Sequence, residues 1–344
     1  MENDRTMSTV AVVILNWNGE AHLRRFLPGV VRNTPSWTEV IVADNGSTDG
    51  SVELLRSDFQ SVRVIRLDRN YGFAEGYNRA LAEVDADYCV LLNSDVETPE
   101  GWLEPLVARL DTDRSVAAVA PKLLSLAQPD MFEYAGASGG FIDYLGYPFC
   151  RGRILKHLER DHGQYDDCRR VFWTSGAAMC CRRSVFMELG GFAPEFFAHM
   201  EEIDLCWRMQ MAGYAVEVEP RSRVYHLGGG TLAADSPNKI FYNHRNNLAM
   251  LYRCATSWQR IVVAVLRPLL DAAAALSYLA GGRARAAWAV CRAYADFIRW
   301  HGRLASERRR IRSAAVRPGI IDTVYRGSIV VRYMTGKREF EKMM

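Results

Sequence analysis

Thr9-Val-Ala-Val-Val-Ile-Leu15 runs directly into Asn16-Trp-Asn-Gly19, and this junction decides the fold. A run rich in β-branched residues with no polar alternation is a strand covered on both faces. Amides and a glycine at its end make a turn at the strand's carboxyl edge. The same figure recurs three times. Glu39-Val-Ile-Val-Ala43 leads into Asp44-Asn-Gly-Ser-Thr-Asp-Gly50, and Val62-Arg-Val-Ile-Arg-Leu67 into Asp68-Arg-Asn-Tyr-Gly-Phe-Ala-Glu-Gly76. Tyr88-Cys-Val-Leu-Leu92 leads into Asn93-Ser-Asp95. Between these strands residues 21–31, 48–56 and 73–84 have helical spacing, the second helix capped by Ser47 or Thr48. Pro99 is expected in the first turn of a further helix, and residues 116–120 form a fifth strand. Such alternation predicts a mainly parallel sheet with right-handed crossovers. Ligands of such sheets bind beyond the carboxyl ends of the strands. One Asn/Asp/Gly-rich loop is an ordinary turn, but four consecutive ones at the same edge point to a site, since the helix-to-strand connections show no such bias.

The rest of the chain fits around that half. Residues 125–170 read as loops with short strands. Residues 171–181 resume a regular pattern, and helices are expected over 183–189 and 201–212, with a strand over 215–218. From Tyr242 onward the pattern is mainly helical and rich in Ala and Arg.

With 344 residues, 49% hydrophobic and 24% charged, the chain can bury a core without disulfides or structural metal, and intrinsic disorder is excluded. The net charge of +3 conceals an asymmetry. Residues 1–250 carry 25 Lys/Arg against 34 Asp/Glu, net −9, and residues 251–344 carry 18 against 6, net +12. An acidic body argues against a nucleic-acid partner. The eight cysteines form no C-x-x-C pair, and several sit in apolar runs as small core residues. Residues 1–8 are polar and unlike a signal peptide, so a cytoplasmic location is expected. The most apolar stretch, residues 261–279, is interrupted by Arg267, Pro268 and Asp271, and no spanning helix is expected.

The strand-end loops contain neither G-x-G-x-x-G nor G-x-x-x-x-G-K-[ST], which excludes a dinucleotide fingerprint and a P-loop. A nucleotide site built from side-chain amides and carboxylates remains. Hard cations that bridge phosphates are held by one or two carboxylates plus the phosphates, which suits Asp95 with Asn93 as a neutral neighbour.

Ile14-Leu-Asn-Trp-Asn-Gly19, Ala43-Asp-Asn-Gly-Ser-Thr-Asp-Gly-Ser51, Asn70-Tyr-Gly-Phe-Ala-Glu-Gly-Tyr-Asn78 and Leu91-Leu-Asn-Ser-Asp-Val96 together resemble the family 2 glycosyltransferases of the GT-A fold. So do Ser175-Gly-Ala-Ala-Met179, Met200-Glu-Glu-Ile-Asp-Leu-Cys-Trp-Arg208 and Val224-Tyr-His-Leu-Gly-Gly229. The resemblance runs in order from about residue 8 to 255. Asn16-Trp-Asn-Gly19 and Tyr242-Asn-His-Arg-Asn246 are most similar to the rhamnosyltransferase-like branch. It implies a GT-A domain over 8–250, with a nucleotide-binding half over 8–120 and an acceptor-side half over 121–250. A basic helical extension follows over 251–344.

The resemblance also implies inverting transfer of a sugar from a nucleotide-diphosphate donor, dTDP-rhamnose first and UDP-sugars next, to a glycan or lipid-linked saccharide of the cell surface. Donor contacts are implied for Asn16, Asn18, Asp44, Asn45, Asn70, Gly72, Asn78, Asn93, Ser175 and Gly176, with Asp44 on the nucleobase. Asp95 and His226 would hold Mg²⁺ or Mn²⁺. The chain departs from the family's D-x-D element, since Asn93 stands at its first position. Glu201-Glu202-Ile-Asp204 is similar to the family's E-D-x-D element, which makes Glu202 the catalytic base, one methylene longer than the usual Asp, with Asp204 second. An inverting transfer needs such a base to take the acceptor's proton. The same acids also suit the first turn of a helix, where the macrodipole favours them and Asp204 can pair with Arg208.

Two further function classes compete. A sugar-nucleotide pyrophosphorylase needs a Gly-rich, basic loop after the first strand, which Asn16-Trp-Asn-Gly19 lacks. An inactive carbohydrate-binding protein of this fold would be expected to lose Asp95 or Glu202. The basic extension has two readings: an amphipathic helical surface on the anionic cytoplasmic leaflet, or a subdomain packed on the body with solvated arginines.

Overall fold

A computed structural model describes residues 8–228 and 236–343; residues 1–7 and Gly229 of the Gly-rich string lie outside them. β1 (Val10–Asn16), α1 (Glu20–Asn33), β2 (Thr38–Asp44), α2 (Ser51–Asp58), β3 (Arg63–Arg66), α3 (Gly72–Ala82) and β4 (Tyr88–Asn93) alternate as the sequence predicts. β1 pairs in parallel with β2 and β4, and β3 extends β2. The register sets Asn16 beside Asp44 and Leu15 beside Asn93, so the polar strand ends share one edge. Val10, Val12 and Ile14 enter one apolar layer, with Leu23, Leu27 and Leu106. Ala11 and Val13 enter the opposite layer, with Tyr77 and Leu81.

Two expected helix starts are displaced. α2 begins at Ser51 because the Thr48 amide is already taken by Asn18 Oδ1, at 2.7 Å. Asp49 serves both helix beginnings instead, accepting from Glu20 N and Ser51 N at 3.0 Å each. The helix after β4 is α4 (Glu104–Thr112), and its first-turn proline is Pro105, not Pro99. Gly101, at φ 72°, turns the intervening chain and leaves Trp102 only 1% exposed.

β5 (Val96–Glu97) is followed, beyond α4, by β6 (Val116–Ser125), which is twice the predicted length. Residues 125–170 hold a second, smaller sheet of β7 (Gly140–Asp143), β8 (Pro148–Cys150), β9 (Arg153–Ile154) and β10 (His157–Leu158). The main sheet gains β11 (Arg169–Arg170), β12 (Ala178–Arg182) and β13 (Ala215–His226), with α5 (Arg183–Glu188) and α6 (Glu201–Met211) between the last two. Its order is β11-β13-β6-β12-β4-β1-β2-β3, with β5 on β13. β12 lies antiparallel between β4 and β6, so the sheet is mixed, with a parallel half carrying the Asn/Asp/Gly loops. β13 extends to His226 rather than stopping at Val218, because a register shift around Pro220 lets it resume pairing with β6.

α7 (Pro237–Cys254), α8 (Ser257–Ala280), α9 (Ala284–Arg299) and α10 (His301–Ser313) follow. The chain then returns to the body. β14 (Val324–Tyr325) pairs with β7, ahead of α11 (Ile329–Met334), and the Phe340 ring packs 5.2 Å from Phe141 and 6.0 Å from Phe149. Six cysteines are buried, Cys168 and Cys291 are exposed, and all eight are free.

Candidate active site

The first three strand ends lock one another. Buried Asp44 accepts from Asn16 Nδ2 at 3.3 Å and from Ser47 N at 3.1 Å. Asn16 Oδ1 is buried without a partner among the described residues. Asn18, in the left-handed region at φ 50°, takes its amide hydrogen bond to Ser47 Oγ at 2.9 Å. Asn45 bridges to the third loop: its Nδ2 donates to Asn70 Oδ1 at 3.2 Å and to Gly72 O at 3.0 Å, and its Oδ1 accepts from Tyr71 N at 3.0 Å. Gly46 is required here, since its φ is 73° and a Cβ would meet the Arg69 backbone at 2.5 Å. Much of the amide content therefore shapes the loops, with Asp44 and Asn16 buried at their base. Trp17 stands 47% exposed beside them, whereas Trp173 is a core residue with Nε1 donating to Phe141 O at 2.9 Å.

β4 and β13 bring the next group together. His226 Nε2 lies 3.1 Å from Asp95 Oδ1 and 3.5 Å from Asn93 Nδ2. Its Nδ1 lies 3.4 Å from Glu133 Oε2, close enough for charge attraction but outside hydrogen-bonding geometry. Burial alone would lower the imidazole's pKa, but the two carboxylates overcome it and push it up to about 10. Burial likewise works to raise the Asp95 carboxyl, and the hydrogen bond and charge of His226 outweigh it, so that pKa lies below the ordinary value. Glu133 was not legible in the sequence, because it comes from the irregular segment after β6. Ser175 and Gly176 lie beside this edge: Asn93 N donates to Ala177 O at 3.0 Å, and Ala177 N to Ser175 Oγ at 3.1 Å.

The third group opens α6. Glu202 is partly buried and its Oε2 has no partner among the described residues. Burial pushes its carboxyl up to about 7. Glu201 is almost fully buried, and burial with the charge of Glu202 raises its carboxyl well above the ordinary range. Asp204 is fully buried and committed, 2.8 Å from Arg208 Nε and 3.6 Å from Arg253 NH1. Of the two acids expected to act, Glu202 alone keeps a free oxygen. Asn78 stands apart. Its amide exchanges two hydrogen bonds with the Phe192 backbone, at 2.8 and 3.0 Å, and ties α3 to the segment before α6.

Sheet order, polar strand ends and the acid-bearing helix define a glycosyltransferase of the GT-A fold. Its structural likeness is to GalNAc-T7, solved with UDP, GalNAc and Mn²⁺ (TM-score 0.61, 19% identity, 77% of this chain and 51% of that one). A second likeness is to the mannosyltransferase PcManGT of Pyrobaculum calidifontis in complex with GDP-Man and Mn²⁺ (TM-score 0.51, 16% identity, 91% and 88%). Residues 11–130 match the model of glycosyl transferase family 2, and the chain is a member of that family, similar to its rhamnosyltransferases. The N-acetylglucosaminyl-diphospho-decaprenol L-rhamnosyltransferase of Mycobacterium tuberculosis is 28% identical over 267 residues, 72% of this chain and 86% of the relative. The pre-mycofactocin glycosyltransferase of the same organism is 31% identical over 241 residues, 68% of this chain and 46% of the relative.

Proposed function

We propose that the chain moves a sugar, with inversion, from a nucleotide-diphosphate donor to a lipid-linked saccharide in cell-surface polysaccharide assembly, with dTDP-rhamnose as the first candidate donor. The observations that support this reading are Glu202, a carboxylate with a free oxygen at the start of α6, and the Asp95–His226 pair at the sheet's carboxyl edge. Asp44 and Asn16 present fixed polar atoms to the nucleobase end of the donor. Glu202 takes the acceptor hydroxyl's proton as that oxygen attacks the anomeric carbon, and the nucleotide diphosphate leaves from the opposite face.

Asp95 and His226 fit a divalent cation. A carboxylate oxygen and an imidazole nitrogen lie 3.1 Å apart, next to Asn93, and would serve as ligands once a bound cation displaced the proton now shared between them, with diphosphate oxygens completing the set. Among the described residues no group of three His, Cys, Asp or Glu side chains forms a closed metal cage. Bound Mg²⁺ or Mn²⁺ would neutralise charge on the departing diphosphate.

A melting-temperature panel with UDP, dTDP and GDP, each with and without Mn²⁺, tests the donor assignment, because a ligand of the native state raises its melting point. The largest rise is expected with dTDP plus Mn²⁺. Equal melting points throughout the panel would end the nucleotide-sugar reading.

The membrane contact rests on α8. It is the one helix among the described residues long and apolar enough to cross a membrane by length and composition, although its interrupting charges argued otherwise. Those charges face inward. Arg267 NH1 donates to Leu145 O at 2.8 Å and to Asn247 Oδ1 at 2.5 Å, with Asp271 3.4 Å from NH2. The outer face is apolar along ~36 Å of helix, with Trp258, Val265, Leu269 and Leu276 each at least 60% exposed. Pinned to the body along its polar side, α8 lies in the plane of an anionic leaflet, with Arg285 and Arg292 exposed on neighbouring α9. A second copy is a poorer occupant, since two extensions of net +12 repel. Flotation with anionic vesicles at low salt should carry the protein upward, and Val265→Asp with Leu269→Asp should abolish it. Unchanged flotation of that variant, or a dimer that it dissociates, would refute the contact.

A further inference from the structure

The turn before α6 is backbone-strained. Phe197, His199 and Met200 all sit in the left-handed region, at φ 64°, 71° and 71°, where side chains crowd the backbone. Met200 is the N-cap of α6, so this turn sets where the helix starts and where Glu202 points. No side chain caps the helix there.

The turn is held from α7. Asn246, fully buried, shares the two N–H groups of Nδ2 among the carbonyls of Phe196, Ala198 and His199, at 2.9, 2.9 and 2.8 Å. Arg245 Nε donates to Asn246 Oδ1 at 3.0 Å, which fixes the amide's orientation. On the far side, Phe197 O accepts from Phe73 N and Ala74 N at 2.7 and 3.1 Å, at the start of α3. Gly72 makes that approach feasible, since a Cβ on it would meet Phe197 at 2.5 Å. The turn therefore spans from the donor-side loop to the acid helix, and one amide grips three of its carbonyls.

We infer that Asn246 is a positioning residue for the transfer reaction: it keeps residues 196–200 in the left-handed turn that aims Glu202 at the acceptor hydroxyl. This rests on Glu202 being the base. It also gives a role to Asn246 of the Tyr242-Asn-His-Arg-Asn246 string, which lies outside the donor and cation contacts. An aspartate at 246 would set a carboxylate against three carbonyls, so only a donor serves.

The test compares Asn246→Ala with Asn246→Ala/Met200→Gly in the whole 344-residue chain. Glycine adopts positive φ without steric penalty, so it should replace by backbone freedom what the amide supplies by hydrogen bonding. Asn246→Ala should lower kcat by about 100-fold, the scale of an ångström-sized misplacement, while the dTDP-plus-Mn²⁺ melting shift stays as in the parent. The double variant should regain much of the lost kcat. A wild-type kcat in Asn246→Ala, or a loss of kcat that Met200→Gly leaves unrepaired, overturns the inference. Asn246→Leu, close in size and without a donor, serves if the alanine variant does not fold: a reduced kcat with intact donor shift supports the role, and a wild-type kcat removes it. Glu202→Gln in the same assay separates the two readings. If it stays active, base and positioning role fall together; if it is inactive beside a fully active Asn246→Ala, only the positioning role falls.

Discussion

Glu202→Gln should lower kcat by about 100- to 10,000-fold, the range that a positioned general base contributes. Donor binding should survive, because the proposed nucleotide end, Asp44, Asn16 and the amide-locked loops, is held by contacts that do not involve Glu202. The pH dependence follows from burial. A base whose carboxyl is raised from 4.5 to about 7 is protonated below neutrality, so kcat should fall as pH drops through 7 and level off above it. The stability sign is opposite. A carboxyl with a raised folded-state pKa opposes folding once ionised, a penalty absent below about pH 4.5 and fully present above about pH 7. At pH 8 the glutamine variant should therefore be the more stable protein, by about 3 kcal/mol for a shift of this size, with the gap closing in acid. Full turnover in Glu202→Gln would remove the base assignment, and a variant that is inactive and also less stable at pH 8 would point to packing instead.

Asp95→Asn should lower kcat/KM by about 100- to 1,000-fold, the loss seen when one charge-stabilising group is taken from a reacting centre. Asparagine keeps the shape of a side chain only 9% exposed while deleting its charge, so the fold should tolerate the change. The diagnostic result is the Mn²⁺-dependent part of the nucleotide melting shift, which should vanish while any metal-independent part remains. If Mn²⁺ still enhances nucleotide binding in Asp95→Asn, the cation sits elsewhere.

How much of this was legible in the sequence depends on whether the deciding contacts are local. The strand runs up to β4 and the polar loops at their ends were readable, because burial on two faces and turn chemistry leave marks within a few residues. The start of α4 was misplaced because two prolines compete: Pro99 lies in the turn, and only Pro105 meets the helix requirement. β13 was cut short at Val218 because the shift around Pro220 looks, in sequence, like an end. At the site, Asp95, Glu202 and His226 are legible through their motifs. Glu133 and Asn246 act on partners 93 and 47–50 positions away, and no spacing rule reaches that far. The same limit explains α8: Arg267 and Asp271 interrupt an apolar run on paper, yet in the fold they are the side that faces the protein.

The returning strand β14 has a consequence for how the molecule is made. Tyr325 pairs with Asp143, Ile329 N donates to Asp143 Oδ2 at 3.0 Å, and Phe340 closes over Phe141 and Phe149. The small sheet thus lacks a strand, and its aromatic residues their cover, until some 180 further residues have been synthesised. The nascent body must wait with an apolar surface open, a window in which chaperone binding and misassociation compete for it.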